Sequence, residues 1–223
     1  MRFGLMQVAL GIALLGSAAL LGGWAWALAW PGASVLVVGL AYLGYGPRVF
    51  GKRPDGGLGW LHVLSLLPYY VVAWTLWQLK GRLLGENPHD EVAPGIIVGR
   101  RPLGALEVPE GAFCVVDLTS EFPRSALTRD CPRYECLPTL DTAAPELAAM
   151  RALVDRLAEE EGPIFFHCAM GHGRSATVAA ALMIRRGLAA DVDDAVARMQ
   201  AVRPGVHLHP VQRAAVAALA FEA

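Results

Sequence analysis

Long uncharged apolar stretches dominate the first part of the chain. No Asp, Glu, Lys or Arg occurs over residues 4–47, and none occurs over residues 56–79. A helix that crosses a bilayer needs about 20 mainly apolar residues. These stretches therefore predict a helix over about residues 4–30, a turn at Pro31-Gly32 and a second helix over 33–45. The second helix is short for a full span, which leaves an earlier start or a tilt as alternatives. A third apolar segment covers about residues 58–79.

Positively charged residues flank these segments, and such residues favour the cytoplasmic side of a membrane. They are Arg2, Arg48, Lys52, Arg53, Lys80 and Arg82. All of them can be cytoplasmic if the first two helices form a hairpin and the third is re-entrant or interfacial, as its Trp and Tyr content also suggests. Three full spans are the alternative. A cleaved signal peptide is disfavoured, because more membrane-like sequence follows its small-residue site.

The composition changes after Gly85, where charged residues and ordinary amphipathic patterns begin. We therefore divide the chain into a membrane region over 1–84 and a second domain over 85–223. Strand patterns alternate with helical patterns in the second part, which predicts an α/β fold with a central sheet flanked by helices. The predicted strands cover 96–98, 113–118, 134–137 and 163–167, and the predicted helices cover 146–161, 174–186, 191–201 and 210–221.

Composition and charge narrow the function. Hydrophobic residues make up 55 % of the 223 residues, and the formal net charge is −1. A net charge near zero does not support nucleic-acid binding, and the chain contains no basic run of the kind that binds phosphate backbones. The four cysteines show neither a CxxC motif nor zinc-ligand spacing with histidine, so no metal site is expected. Reduced thiols together with the flanking charges favour a cytoplasmic location for the second domain.

The strongest chemical signal lies between a predicted buried strand and a predicted helix. Backbone N–H groups and the helix dipole converge on one point at such a junction, which suits phosphate. Gly171 and Gly173 permit a tight curl and positive φ. Arg174 has the planar fork that grips two phosphate oxygens. The loop consists of Cys168, Ala169, Met170, Gly171, His172, Gly173 and Arg174.

The same positive field stabilises a thiolate, which makes Cys168 the candidate nucleophile. Ser175 is placed to donate a hydrogen bond to that thiolate and to help it leave. His167, on the strand, is expected to orient the loop from its buried side. Arg174 and the backbone amides neutralise phosphate in this chemistry, so it requires no metal and no cofactor.

The pattern of Cys168, five residues, Arg174 and Ser175 resembles the protein tyrosine phosphatase superfamily, and in particular its dual-specificity branch. The resemblance covers about residues 87–223. It implies hydrolysis of phosphate monoesters through a phosphocysteine intermediate. It also implies a general acid on a loop some tens of residues before the cysteine.

Asp141 fits that acid, since it lies between a predicted strand and a predicted helix, 27 positions before Cys168. Asp117, at a strand end, is the competitor, although the resemblance gives it a supporting role in the sheet. Asp130 is a third candidate. Gln212 is either a substrate or water contact or an ordinary polar residue in a first helical turn.

The substrate remains open between a phosphorylated protein and a phospholipid of the phosphatidylglycerophosphate or phosphoinositide type. His172 is the loop's only counterpart of the lysine or arginine that lipid-directed relatives place there, which favours a tyrosine or dual-specificity protein phosphatase. A rhodanese-type sulfurtransferase fits the five-residue gap to Arg174 less well. A catalytically silent membrane scaffold is the non-enzymatic alternative, and the presence of Cys168, Arg174 and Asp141 argues against it.

Overall fold

The structure, a computed structural model, describes residues 2–83 and 85–220. Its α-helices are α1 Arg2–Leu21, α2 Ala29–Leu40, α3 Trp60–Leu83, α4 Leu147–Ala158, α5 Arg174–Arg185, α6 Val192–Val202 and α7 Pro210–Ala220. Its strands are β1 His89–Ala93, β2 Ile96–Arg100, β3 Cys114–Thr119, β4 Arg133–Thr139 and β5 Ile164–Cys168.

The chain divides into two compact units. The first comprises the chain up to Arg53 together with Gly57–Lys80 and Ser120–Pro123. The second comprises Pro54–Gly56, Gly81–Thr119 and the chain from Arg124 onward. The first unit contains the apolar helices, and the second contains the sheet and the predicted phosphate loop.

Within the first unit, the chain reverses direction at Gly22 and Gly23 and not at the predicted Pro31-Gly32 turn. Both glycines have positive φ, at 61° and 52°. Pro31 lies instead in the first turn of α2, where a helix does not need the missing N–H group. The second helical segment therefore begins earlier than the sequence predicted.

Within residues 2–83 and 85–220, three helical segments are long and apolar enough to cross a membrane. They are Arg2–Leu21, Gly23–Tyr45 and Trp60–Leu83, with 20, 23 and 24 residues. The second segment gains its length from a short 3₁₀ stretch before α2 and a π-helical turn after it.

The hairpin of α1 and α2 is packed through small residues. Gly4, Gly11 and Ala18 of α1 follow one another at seven-residue intervals and are buried. Gly32 and Gly39 repeat that interval on α2 and are buried as well. Small residues at such positions let two helix backbones approach closely, which is a common way for helices to associate in membranes.

The second unit is built on a five-stranded sheet in the order β1-β2-β5-β3-β4. β5 lies at the centre and pairs in parallel with β2 on one side and β3 on the other. β4 also runs parallel to β3, whereas β1 is antiparallel to β2 at the edge. The carboxyl ends of the four parallel strands therefore meet along one edge, which is where open α/β sheets bind ligands.

Both faces of the sheet are covered. Val116 on β3 and Phe166 on β5 pack into the larger core with Leu182 of α5. Val115 and Phe165, one residue earlier on the same strands, pack on the opposite face. This explains why the central strands read as continuous apolar runs, as is usual for parallel strands.

The sequence missed the edge strand β1, whose residues HDEVA show no apolar alternation. The four predicted strands and four predicted helices of this unit are present with small shifts. The helix predicted from residue 146 begins at Leu147, because Glu146 is its N-cap and accepts hydrogen bonds from the amides of Ala148 and Ala149. Residue 221, the predicted end of the last helix, lies outside the described residues.

We predict that Gly11→Leu destabilises the α1–α2 hairpin. A Cβ atom at Gly11 would lie 2.7 Å from the Cβ of Leu36, so a leucine forces the helices apart. Overpacking of this kind costs about 1–3 kcal/mol. The midpoint of thermal unfolding in detergent, followed by circular dichroism, should fall by several degrees. Gly16→Leu is the matched control, since a Cβ there has no atom within 4 Å. Equal midpoints for the two variants would contradict the prediction.

Candidate active site

The candidate site lies at the carboxyl end of the central strand. Cys168 is the last residue of β5 and Arg174 is the first residue of α5, so the 168–174 loop joins the strand directly to the helix. Its neighbours β2 and β3 end at the same edge. The structure thus places the predicted loop at the predicted strand-to-helix junction.

Arg203, at the end of α6, holds two loop carbonyls. Its Nη2 donates to the carbonyl oxygen of Met170 at 3.0 Å, and its Nε donates to that of Gly171 at 2.9 Å. In a planar trans peptide the C=O and N–H groups point in opposite directions. The N–H of Gly171 accordingly points away from Arg203 and donates to Cys168 Sγ at 3.2 Å. Arg203 therefore orients the amide of Gly171 toward the sulfur.

Backbone amides hold the other carbonyls of the loop. The N–H of Arg101 donates to the carbonyl oxygens of Cys168 and Ala169 at 2.8 and 3.4 Å. The N–H of His207 donates to that of His172 at 3.0 Å. Five successive carbonyls, from Cys168 to His172, are thus bound from outside the loop, and the N–H groups of the same peptides face the opposite way. This is the arrangement that an anion-binding cradle needs.

The two loop glycines serve different purposes. Gly171 has φ of 78°, as predicted, and a Cβ there would lie 2.3 Å from the backbone of Gly99 on β2. Gly173 does not have the predicted positive φ, since its φ is −113°. Its lack of a side chain instead makes room for Gln212, whose amide atoms would lie 3.3 Å from a Cβ at that position.

Cys168 lies in an environment that favours its thiolate. Burial alone would raise the pKa of the Cys168 thiol, but the Arg174 charge and hydrogen bonds from Ser175 and Gly171 outweigh burial and lower that pKa below its ordinary value. The Ser175 hydroxyl lies 3.4 Å from Cys168 Sγ. In contrast, burial raises the pKa of Cys114 to about 12 and also raises that of Cys131.

Arg174 and Asp141 are close together. The Arg174 guanidinium is buried; its Nη1 donates to the carbonyl oxygen of Thr139 at 2.9 Å, and its Nη2 lies 3.4 Å from Asp141 Oδ1. The Asp141 side chain is 67 % exposed. Asp141 therefore lies at the solvent side of the site, on the loop that follows β4, where a substrate could meet it.

The two other acid candidates have different surroundings. Asp117 is fully buried and accepts hydrogen bonds from the backbone and hydroxyl of Thr119 and from the hydroxyl of Tyr134. These contacts are those of a carboxylate that supports a strand end. Asp130 is exposed in the segment before β4. His167 is fully buried opposite Asp117 in the sheet, which is the buried position expected for it.

The His172 side chain is engaged by a carboxylate. Its Nε2 lies 2.7 Å from Glu86 Oε2. A Cβ at Gly205 would lie 2.6 Å from the same nitrogen, so the imidazole fits against that glycine. The sequence singled out His172 as a phosphate contact and gave no sign of Glu86 as its partner.

Sequence reasoning also missed how Arg203 is held. Its Nη1 donates to Asp90 Oδ2 at 2.7 Å and to the carbonyl oxygen of Asn87 at 3.0 Å. Asp90 lies on β1, the strand that the sequence did not reveal. Motif spacing cannot predict the pair of Arg203 and Asp90, because the two residues are 113 positions apart. Across the described residues, no group of three or more His, Cys, Asp and Glu side chains is arranged to hold a metal ion.

Comparison with known proteins agrees with this geometry. Residues 110–218 match the family described as PTP-SAK: Swiss Army Knife protein, DSP-PTPase phosphatase domain. This part of the chain is therefore similar to phosphatase domains of the dual-specificity type. No curated protein matches the chain.

Two solved structures share the fold of the unit that contains the sheet. PTPMT1 in complex with PI(5)P is similar with a TM-score of 0.52 and 19 % identity, over 60 % of this chain and 96 % of that one. Tk-PTP in the active form is similar with a TM-score of 0.53 and 24 % identity, over 61 % of this chain and 98 % of that one. At these identities the likeness establishes the fold alone.

We predict that iodoacetamide alkylates Cys168 at a pH where ordinary thiols remain protonated. Because its pKa is lowered, the thiolate persists as the pH falls below the usual thiol value of about 8.5. The alkylation rate, followed site by site with mass spectrometry, should rise through a midpoint below that value. Ser175→Ala should move the midpoint upward, since a donor to the sulfur is lost. Cys114 and Cys131 are internal controls and should react only at higher pH; a Cys168 midpoint matching theirs would refute the prediction.

Proposed function

We propose that this protein is a membrane-anchored phosphatase that hydrolyses phosphate monoesters through a phosphocysteine intermediate on Cys168. The membrane region covers residues 1–84, and the catalytic domain covers residues 85–223 and faces the cytoplasm. The observation that carries the proposal is the environment of the Cys168 sulfur. It accepts a hydrogen bond from the Gly171 N–H at 3.2 Å and lies 3.4 Å from the Ser175 hydroxyl. Such donors stabilise an anion at that point, whether a thiolate or the oxygens of a phosphoryl group.

In the first step, the Cys168 thiolate attacks phosphorus and the bond to the leaving oxygen breaks. The loop amides and Arg174 bind the phosphoryl oxygens throughout. Asp141 gives its proton to the leaving oxygen, a transfer that typically contributes about 10²–10⁴-fold. Its exposure at the solvent side of Arg174 supports this assignment.

In the second step, water attacks the phosphorus and the S–P bond breaks. Asp141, now a carboxylate, takes the proton from that water. The sulfur leaves as a thiolate, which the Ser175 hydroxyl stabilises by donating a hydrogen bond. Inorganic phosphate then departs and Cys168 is ready for another substrate.

Phosphoproteins are the favoured substrates, with a tyrosine or dual-specificity preference. The support comes from His172, because its Nε2 lies 2.7 Å from Glu86 Oε2. The ring nitrogen that could meet a second phosphate is therefore already engaged by a carboxylate. A single phosphoryl group on a protein side chain makes no demand for a further cation in the loop.

A phospholipid is the second candidate. Three segments long and apolar enough to span a bilayer support it, because they would hold the catalytic domain close to lipid headgroups. The fold is also that of PTPMT1, which has been solved in complex with PI(5)P.

We predict that Cys168→Ser lowers turnover of 4-nitrophenyl phosphate by at least roughly 10³-fold, since a serine hydroxyl in place of the thiolate removes the nucleophile. Acid quenching of the working enzyme followed by mass spectrometry should find a phosphoryl group on the peptide that contains Cys168. Cys131→Ser is the matched control and should retain activity. A silent phosphate-binding scaffold would instead give no turnover and no labelled peptide in the wild type.

We predict that phosphotyrosine peptides are hydrolysed with higher kcat/KM than phosphatidylinositol phosphate in vesicles. The measurement uses the full chain in detergent for peptides and the same chain reconstituted in vesicles for lipids, with phosphate release as the readout. Cys168→Ser supplies the background for both. Strong turnover of lipid with negligible turnover of peptide would reverse the order of the two candidates.

A further inference from the structure

Gln212 connects three parts of the site from the first turn of α7. Its Nε2 donates to the carbonyl oxygen of Ala143 at 2.9 Å, and its Oε1 accepts from the N–H of His209 at 2.8 Å. The same amide packs against Gly173, where a Cβ would lie 3.3 Å away. The side chain is fully buried. Gln212 therefore packs against the phosphate loop at Gly173 and donates a hydrogen bond to the loop that carries Asp141.

The loop that carries Asp141 contains an unfavourable backbone conformation. Thr142 has φ of 61°, and within the described residues it is the only non-glycine with positive φ. A β-branched residue rarely adopts this left-handed region. Such strain persists only where surrounding contacts fix the chain on both sides.

Those contacts lie on either side of Thr142. Before it, the carbonyl oxygen of Thr139 accepts from Arg174 Nη1 at 2.9 Å. After it, the carbonyl oxygen of Ala143 accepts from Gln212 Nε2. Asp141 lies between the two attachment points, so its position depends on both of them.

We propose that Gln212 is a positioning residue that holds the Asp141 loop in the conformation in which the acid faces the leaving group. This inference rests on the proposed phosphatase function. Gln212 acts through the Ala143 carbonyl, so its effect is confined to the step in which Asp141 protonates the leaving oxygen. A glutamine that instead contacted the attacking water would affect the second step.

The experiment compares the wild type with Gln212→Met, which keeps the length of the side chain and removes both hydrogen bonds. Substrates are aryl phosphates with poor and good leaving groups, such as phenyl and 2,4-dinitrophenyl phosphate. We expect kcat/KM to fall roughly five- to tenfold for the poor leaving group, the loss of about one hydrogen bond. It should change less than about twofold for the good one, because a stable leaving group hardly needs the acid.

Asp141→Asn supplies the second test. In that background the acid is already absent, so Gln212→Met should cause no further loss for the poor leaving group. Val211→Met is the matched control. Val211 is the neighbouring position in the first turn of α7, but its side chain is 56 % exposed, so this variant should behave like the wild type.

Other results would overturn the inference. Equal losses for both leaving groups would mean that the substitution damages the site as a whole. An unchanged kcat/KM with a lower kcat and a burst of product would assign Gln212 to the water-attack step. Both outcomes leave the phosphatase function intact, whereas a wild type without turnover or a labelled cysteine would remove that function itself.

Discussion

The orientation of the peptide groups between Cys168 and Arg174 is the constraint on which the catalytic unit depends. A buried sulfur anion is costly unless donors surround it, and here burial opposes ionisation while Arg174, Ser175 and Gly171 favour it. Amides can face the sulfur only if the carbonyls of the same peptides find acceptable partners elsewhere. Arg203 and the N–H groups of Arg101 and His207 are those partners. Residues outside the loop therefore control its chemistry.

The edge strand β1 helps to hold Arg203 in place. Arg203 is almost fully buried, and a buried guanidinium needs a carboxylate and further hydrogen bonds. Asp90 of β1 and the carbonyl of Asn87 meet that need at 2.7 and 3.0 Å. The polar strand β1, which adds little to the core, is thus part of the support of the phosphate loop. Its pairing with β2 positions Asp90, and Asp90 positions Arg203.

The sequence revealed local features well and distant pairs poorly. The run from His167 to Ser175 predicted a strand, a loop and a helix, because apolar runs, glycines and the loop pattern are contiguous. The sequence did not predict β1, because this strand forms through pairing with β2 and shows no apolar periodicity. The sequence did not predict the contacts of Glu86 with His172 and of Arg203 with Asp90, because the partners lie far apart along the chain. The helical turn was placed at Pro31 because proline disrupts helix interiors, whereas here it lies in a first turn, where it is tolerated.

Ion pairs around the loop differ in a way that bears on catalysis. Arg203 and Arg100 each lie 2.7 Å from a carboxylate, in Asp90 and Glu107 respectively. The pair of Arg174 and Asp141 is longer, at 3.4 Å, and its carboxylate is mostly exposed. A long contact to a mostly solvated carboxylate contributes little. In the proposed reaction, a phosphoryl group that binds Arg174 would therefore displace the Asp141 carboxylate more easily than it would disturb the shorter pairs.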